Sequence, residues 1–334
     1  MITPTRLSYG VLIATIALAV LLHLGVPLLV LLFSYFALRQ LYFLTKRKWL
    51  ALILFGVVVA GITAAAVYFT RTAILALPDV ADTSIPSASA WAQKRQIELP
   101  FTDFESLRQA VVDTLGQEAQ YLRNVANFAK SAAAAIVFSI LSIVAAGSLF
   151  YKTGLDPYRG THRLKNNLYS ICCDKVSTRF RDFYRSFATV MGAQITISLI
   201  NTALTGIFLV AVRLPHAPLL IAVTFLCGLV PIVGNLASNT VIVFVALTVS
   251  LKLAIVALVF LILIHKLEYL LNSKIIGDRI RNPVWLTLIA LILGERLMGI
   301  PGLILAPVVL NYLRVEMLTV EVPAPSETVE ALNR

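Results

Sequence analysis

Hydrophobic residues occur along most of this chain in runs that short polar or basic segments separate. The apolar runs occupy 7–22, 26–43, 49–69, 131–151, 187–212, 216–234, 236–251, 252–272, 284–298 and 303–313. A membrane-spanning helix needs roughly 20 apolar residues, and several of the runs approach that length. The pattern therefore predicts an all-α polytopic membrane protein with about seven or eight transmembrane helices.

The apolar runs nearest to the two ends of the chain are short and interrupted. "HLGVP" (His23 to Pro27) divides the first pair, and "GIPG" (Gly299 to Gly302) divides the last pair. The sixteen residues of 7–22 would rise only about 24 Å as a helix, which is less than the hydrocarbon core of roughly 30 Å. These pairs predict hairpins that either cross the bilayer fully or re-enter it, and both alternatives stay open.

Composition excludes a water-soluble globular protein. The chain is 59% hydrophobic and 13% charged, whereas soluble domains have about 45–50% apolar and about 25% charged residues. The net charge of +11 does not indicate nucleic-acid binding, because the basic residues lie in short segments between apolar runs. Such segments are typical of cytoplasmic loops.

The basic segments 39–48, 152–185 and 274–281 fall on one side when the crossings are counted. The segment 152–185 carries eight Lys or Arg against three Asp, which is the strongest cytoplasmic indication. The count predicts a multi-pass protein of the bacterial inner membrane with cytoplasmic N- and C-termini. No convincing cleavage site follows the first apolar run, so we expect it to be retained as a span.

Charge and turn residues divide the chain into further segments. Residues 1–69 are predicted to form N-terminal membrane spans, and 70–130 an extracytoplasmic loop followed by an amphipathic helix. The "LPDVADTSIPSAS" stretch predicts the loop, and Thr102 with Glu105 fits a capping box for a helix that starts near Asp103. That helix is predicted to continue into a span at 131–151, so that a long part projects outside the membrane.

The basic segment 152–185 is predicted to be a cytoplasmic interfacial helix. Its apolar side extends to Phe187, and cations largely flank that side, as in helices that bind an anionic leaflet. An alternative is that this side binds a partner. The apolar side comprises Leu168, Ile171, Val176, Phe180, Phe183 and Phe187. Residues 186–314 would form the C-terminal membrane core, and 315–334 a disordered tail.

Four polar residues recur at helical spacing within one apolar run: Gln194, Ser198, Asn201 and Thr205. Spacings of 4, 3 and 4 place them on one face of a helix. Polar groups are costly in lipid, so this face must meet protein or water. It predicts either the lining of a solute pathway or a helix–helix seam held by side-chain hydrogen bonds, and both interpretations stay open.

The stretch "LCGLVPIVGNLAS" places Pro231, Gly234 and Asn235 within an apolar region, and Asn239 follows one turn later. Proline removes a backbone donor and frees a carbonyl one turn earlier, and lipid cannot satisfy that carbonyl. A broken helix with amides at its break is a frequent construction of transporter substrate sites. The alternative is a tight turn between two spans, with Asn235 capping the second helix.

Ionisable residues occur in two membrane segments. In "HKLEYLLN", His265, Glu268 and Asn272 share a helical face and are candidates for binding a cation or carrying a proton. A solvated position at a cytoplasmic helix end is the alternative. In "ILGERLMGIPG", Glu295 and Arg296 precede a break and are further coupling candidates.

Enzyme and pump signatures are absent from the sequence. It contains no H-E-x-x-H, no G-x-S-x-G and no G-x-x-x-x-G-K-[ST] motif. The three cysteines form no C-x-x-C pair, so we expect neither a metal site nor a cofactor. The sequence therefore predicts no enzyme, and any transport is expected to be passive or driven by a gradient.

The segments "GLVPIVGN", "IIGDRIRNPVWLTLIALILG" and "GIPGLILAPVVLNYL" resemble the signature region of the autoinducer-2 exporter family, also called the PerM permease family. The resemblance covers about 185–315 well, whereas the N-terminal half is similar only in layout. Asn235 and Asn282 depart from the pattern, where Pro and His are usual. The matching positions are Pro231, Gly234, Pro283, Gly299, Gly302, Ala306 and Pro307, and Pro301 lies within the last break.

The resemblance implies a permease that exports a small polar solute and is often a homo-oligomer in the lipid bilayer. Members are associated with export of the furanone signal autoinducer-2, and some with Na⁺/H⁺ antiport. A cation/proton antiporter that uses Glu268 or Glu295 is therefore an alternative. Another alternative is an oligomeric membrane scaffold without transport, in which the long helix at 103–151 is the main functional element.

Overall fold

The computed structural model describes residues 4–93, 119–151, 167–231, 233–275 and 283–319. These residues form ten helices and no strand, which confirms the prediction of an all-α polytopic membrane protein. The helices are α1 (Pro4–Leu21), α2 (Gly25–Thr45), α3 (Lys48–Gln93), α4 (Ala119–Tyr151), α5 (Leu168–Ala211), α6 (Ala217–Gly228), α7 (Val233–Val249), α8 (Leu251–Ile275), α9 (Val284–Met298) and α10 (Ile300–Met317).

Five helices of the described chain are long and apolar enough to cross a membrane: α2, α5, α10, the first part of α3 and the last part of α4. Helices α1, α6 and α7 are apolar but shorter. Helices suit the hydrocarbon core of a membrane because each one satisfies its backbone hydrogen bonds internally. The large apolar side chains that remain exposed along α3 and α8 fit a surface that lipid covers.

Helices α6 and α7 form a hairpin that lies between α5 and α8. One buried cluster joins the end of α5 to the start of α6, the end of α7 and the start of α8, through Leu209, Leu220, Ile242 and Ala254 among others. The rings of Phe208 and Phe260 stack there at 4.1 Å. The open end of the hairpin therefore lies at the end of the bundle where α5 finishes.

Helices α9 and α10 form a second hairpin with a very close approach of their backbones. Gly299 turns the chain at φ 64°, a conformation that favours glycine. A Cβ atom on Gly302 would lie 1.7 Å from the carbonyl oxygen of Gly294, so only glycine fits there. The turn also meets the start of α2, because a Cβ on Gly25 would lie 2.9 Å from the Cβ of Pro301. The breaks at His23–Pro27 and at Gly299–Gly302, which lie near opposite ends of the chain, thus pack against each other.

The tip of the α6–α7 hairpin meets these elements from the other side. Val230, at that tip, packs against the cluster of Leu29, Ile304 and Leu305 and against Ala306. The basic end of α2 lies beside the first half of α5, because the Arg39 guanidinium is placed over the ring of Tyr184. The fold therefore brings the tips of the α6–α7 and α9–α10 hairpins together in its interior. They lie between the basic end of α2 and the open end of the α6–α7 hairpin.

The segment 77–89, for which the sequence predicts a loop, is helical, because α3 continues to Gln93. The loop was predicted because Pro, Ser and Asp disfavour a helix locally. The prediction was wrong because a helix that has already formed extends without a new nucleus. The predicted helix start at Asp103 and its capping box lie outside the described residues. Of the disordered tail predicted at 315–334, residues 315–317 belong instead to α10, and the part from 320 lies outside the described residues. The described part of the long helix begins at Ala119 and ends at Tyr151.

The basic segment before the membrane core is not a separate helix. Its described part belongs to α5, a single helix of 44 residues, which the Asn167 side chain caps by accepting the Ser170 N–H at 2.8 Å. Phe187 is 0% exposed, and the rings of Phe183 and Tyr312 lie edge to face at 5.6 Å. The end of the apolar side therefore packs on protein. Amphipathic spacing predicted the helix but does not distinguish a lipid surface from a protein surface.

Candidate functional site

The polar face of α5 holds the end of α6 through two side-chain hydrogen bonds. Gln194 Nε2 donates to the Gly228 carbonyl at 2.7 Å, and Ser198 Oγ donates to the Phe225 carbonyl at 2.9 Å. The last four carbonyls of a helix lack partners within it, and lipid offers none. Gln194 and Ser198 thus form a seam that stabilises the hairpin tip inside the membrane region.

Backbone groups in the turn between α6 and α7 form hydrogen bonds with each other. Pro231 cannot donate to the Cys227 carbonyl one turn earlier, and the Val230 N–H donates to that carbonyl instead, at 2.9 Å. The Gly234 N–H donates to Val230 at 3.2 Å. A Cβ on Gly234 would lie 1.7 Å from the Cys227 oxygen, so glycine is required for this turn.

Asn235 joins the start of α7 to a buried carboxylate on α8. Its Nδ2 donates to both carboxylate oxygens of Glu268, at 2.6 and 2.7 Å. Glu268 is only 8% exposed, and the Asn201 side chain lies close enough to interact with its carboxylate. Asn235 is therefore a partner of Glu268 and not the N-cap of α7, which begins at Val233. We call Asn201, Asn235 and Glu268 the carboxylate–amide cluster.

The carboxylate–amide cluster lies deep among apolar helices. Asn201 precedes the end of α5 at Ala211 by about 15 Å and follows Arg185 by about 24 Å, at 1.5 Å per residue. A carboxylate is costly at such a depth unless other groups bind it. His265 Nδ1 lies 3.8 Å from Glu268 Oε2, but His265 is mainly exposed. The hydrogen bonds from Asn235 therefore stabilise the Glu268 carboxylate.

One buried oxygen of this cluster, Asn201 Oδ1, has no hydrogen-bond partner within the described part of the chain. Asn201 itself is 6% exposed. Buried polar atoms are almost always paired. Asn201 Oδ1 is thus free to accept from a donor or to bind a cation that enters the site.

The family assignment now rests on a direct match. The model of the family described as "AI-2E family transporter" matches residues 9–319. This chain belongs to the AI-2E transporter family. It is also 27% identical over 187 residues to the "Putative transport protein YdbI" of Bacillus subtilis (strain 168), a match that covers 55% of this chain and 51% of that protein. The chain thus spans about half the length of that relative. Family and fold together show a multi-pass membrane protein of a transporter family.

The structure gathers only some of the predicted site residues of this AI-2E transporter. Thr205 is buried on α5, and Asn239 is half-buried one turn after Asn235. Asn272 belongs to α8, but its side chain lies outside the described part of the chain. Glu295 and Arg296 are exposed on α9, and no described contact joins them to the carboxylate–amide cluster. Pro283 precedes α9, and Pro307 lies inside α10.

Replacing Ser198 with Ala is expected to destabilise the protein by about 1–3 kcal/mol, because the part-buried Phe225 carbonyl loses its donor. The measurement is the thermal unfolding midpoint of the purified protein in detergent. Thr196→Ala is a matched control, since this exposed hydroxyl on α5 donates only to its own helix at Gly192. Equal midpoints for the two variants would contradict the role of Ser198 in the seam.

The sequence did not reveal a polar contact that joins α1, α5 and α10. Arg179 Nη1 donates to Glu316 Oε1, and Tyr9 donates to the same oxygen at 2.8 Å. The Arg179 guanidinium also lies over the Tyr9 ring, at 4.3 Å. One available indication was Glu316 in the last turn of a helix, where the macrodipole disfavours an acid.

Replacing Glu316 with Gln is expected to lower stability by about 1–3 kcal/mol, because it leaves the Arg179 charge part-buried without a counter-ion. Asp182→Asn is the matched control. Asp182 pairs with Arg185, whose side chain is 71% exposed, and exposed pairs contribute roughly 0–1 kcal/mol. The comparison uses unfolding midpoints, and a loss for Glu316→Gln no larger than that for Asp182→Asn would contradict the role of the part-buried contact.

Proposed function

We infer that this AI-2E transporter carries a small polar solute past the carboxylate–amide cluster. The observation that supports this is the hydrogen-bonded pair of Asn235 and Glu268, which lies just after the turn of the α6–α7 hairpin. A polar solute that leaves water needs partners inside the membrane. Amides and a carboxylate supply donors and acceptors for hydroxyl or carbonyl groups.

The opposed hairpins support a mechanism in which one hairpin moves against the other. Transporters commonly place the substrate site at discontinuous helices and move one bundle around it. Here the α6–α7 tip packs through Val230 against the elements that carry Leu29 and Ile304. The sequence carries no P-loop, so we propose passive movement or coupling to a gradient.

Several properties of the transporter are part of the same proposal. The basic residues Arg39, Lys48 and Arg185 lie toward one end of the helices, which supports a cytoplasmic location for that end. We accordingly propose a bacterial inner-membrane exporter with cytoplasmic termini. The solute would be of the autoinducer-2 class that the family name suggests, and the protein would act as a homo-oligomer.

Cation/proton antiport is the second candidate function. It is favoured by the unpaired Asn201 Oδ1 beside the Glu268 carboxylate, because oxygen ligands suit hard cations. Of the two glutamates that the sequence offers for coupling, only Glu268 is buried. The family match supports a permease rather than a scaffold without transport.

The test is flux in proteoliposomes that contain the purified full chain. A dye reports internal pH while Na⁺, K⁺ or H⁺ gradients are imposed, and a panel of small polar metabolites that includes autoinducer-2 is offered. Metabolite movement without cation dependence supports the exporter, whereas a pH change that requires Na⁺ supports the antiporter. If folded and oriented protein produces neither metabolite movement nor a pH change, both proposals are overturned.

The Asn235 side chain provides a variant for the same assay. Asn235→Ala is expected to reduce flux, because it removes both hydrogen bonds to Glu268. Thr240→Ala is the control, since Thr240 is exposed on the same helix and donates to Leu236 within it. Unchanged flux in folded Asn235→Ala would contradict the proposed pathway.

A further inference from the structure

A basic cleft lies between the end of α2 and the first half of α5, away from the carboxylate–amide cluster. Its volume is about 590 Å³, which is within the range of small-molecule sites. Three arginines from the two helices line it: Arg39, Arg181 and Arg185. The aromatic rings of Phe36, Phe43 and Tyr184 form other parts of its wall.

Positive charge exceeds negative charge in this cleft. Asp182 binds Arg185 Nη1 at 3.2 Å, and within the described residues no carboxylate pairs with Arg39 or Arg181. The Arg39 guanidinium lies 5.7 Å from the centre of the Tyr184 ring, which orients it but leaves its N–H groups available. Two planar guanidinium groups with free donors are well suited to phosphate, which they bind in a bidentate manner.

The position of the cleft distinguishes a lipid from a soluble anion. Arg39 lies on α2 where its apolar run gives way to a basic run that includes Lys46 and Lys48. Phe43, one turn after Arg39, is 68% exposed beside the cleft. A boundary between apolar and basic surface is where the headgroups of anionic lipids gather. Phe36 and Phe43 would contact the glycerol and the first acyl carbons, which a free phosphate lacks.

We propose that this cleft binds the phosphate group of an anionic phospholipid. Arg39 and Arg181 hold the phosphate oxygens, and Arg185 adds charge from the same helix as Arg181. Because both helices contribute, the lipid bridges α2 and α5. Inorganic phosphate carries the same phosphate oxygens, so the experiment must distinguish a phospholipid from free phosphate.

The experiment measures lipid binding to the full chain in detergent by native mass spectrometry. Phosphatidylglycerol is expected to bind at least about tenfold more tightly than phosphatidylcholine, and inorganic phosphate should not displace it. The double variant R39Q/R181Q is expected to bind phosphatidylglycerol about tenfold more weakly or worse, because hydrogen bonds between charged groups are lost. The double variant R39K/R181K keeps the charge but loses the planar fork, and an intermediate affinity is expected.

The matched control is R213Q/K252Q, which removes the same charge from the other end of the bundle. Arg213 and Lys252 lie at the α5–α6 turn and at the start of α8, and we expect affinity to stay within about twofold of wild type. Equal binding by wild type and R39Q/R181Q, or an equal loss in the control, would overturn the proposal. Displacement by inorganic phosphate would instead assign the cleft to a soluble anion. If R39Q/R181Q fails to fold, equal wild-type affinity for the two lipids overturns the proposal by itself.

Discussion

Replacing Glu268 with Gln is expected to lower solute or ion flux by about tenfold or more, because the interactions of a charged group are replaced by weaker neutral ones. Asn235 Nδ2 donates to both oxygens of Glu268, and Gln offers one oxygen together with an N–H₂ group that cannot accept. The loss of charge also removes the group that would bind a cation or a proton. The measurement is flux into proteoliposomes at matched protein density.

Glu295→Gln is the control for this experiment. The side chain of Glu295 is exposed on α9, and the same chemical change there should leave flux unaltered. Each variant must show the helical circular dichroism and elution volume of the wild-type protein. Full activity of folded Glu268→Gln would remove Glu268 from the pathway, and a selective loss in Glu295→Gln would transfer the coupling role to α9.

Replacing Gly234 with Ala is expected to destabilise the protein by about 3 kcal/mol or more, because the new methyl group overlaps backbone that cannot rotate away. The Cβ atom would lie 1.7 Å from the Cys227 oxygen and 2.5 Å from the carbonyl carbon. The α6–α7 turn would have to open, which would also displace Asn235 from Glu268. The measurement is the yield of monodisperse protein and its unfolding midpoint in detergent.

Gly56→Ala is the matched control for the same substitution. Gly56 lies inside α3, where an added methyl group would meet no other described atom within 4 Å. Alanine is favoured over glycine in a helix interior by roughly 0.5–1 kcal/mol, so this variant should be neutral or slightly more stable. A folded Gly234→Ala variant as stable as Gly56→Ala would contradict the close contact at the hairpin tip.

Local sequence patterns predicted many elements of this fold because local chemistry defines them. The run 284–298 became α9 with the same bounds, since a proline precedes it and a glycine follows it. Pro231 predicted the break between α6 and α7 for a similar reason. The loop predicted at 77–89 was wrong, and α5 did not divide near 186. Composition alone therefore does not say where a continuous helix crosses from one environment to another.

The residues of the candidate site were likewise predicted only in part. Helical spacing put Gln194, Ser198, Asn201 and Thr205 on one face, but spacing left a pathway and a seam equally open. The fold uses Gln194 and Ser198 for the seam and places Asn201 beside Glu268. The sequence could not make this distinction, because it depends on which carbonyls and carboxylates other helices bring to each side chain.

By itself, the sequence determined that the protein is a helical membrane protein, that it has breaks near Pro231 and Gly299, and that it resembles the AI-2E family. These properties follow from apolar run length, the missing N–H of proline and the spacing of short motifs. Only the tertiary structure paired Asn235 with Glu268, Gly25 with Pro301 and Arg179 with Glu316. Those contacts join residues that lie far apart along the chain, and packing between helices selects them through shape and the need to satisfy buried polar groups.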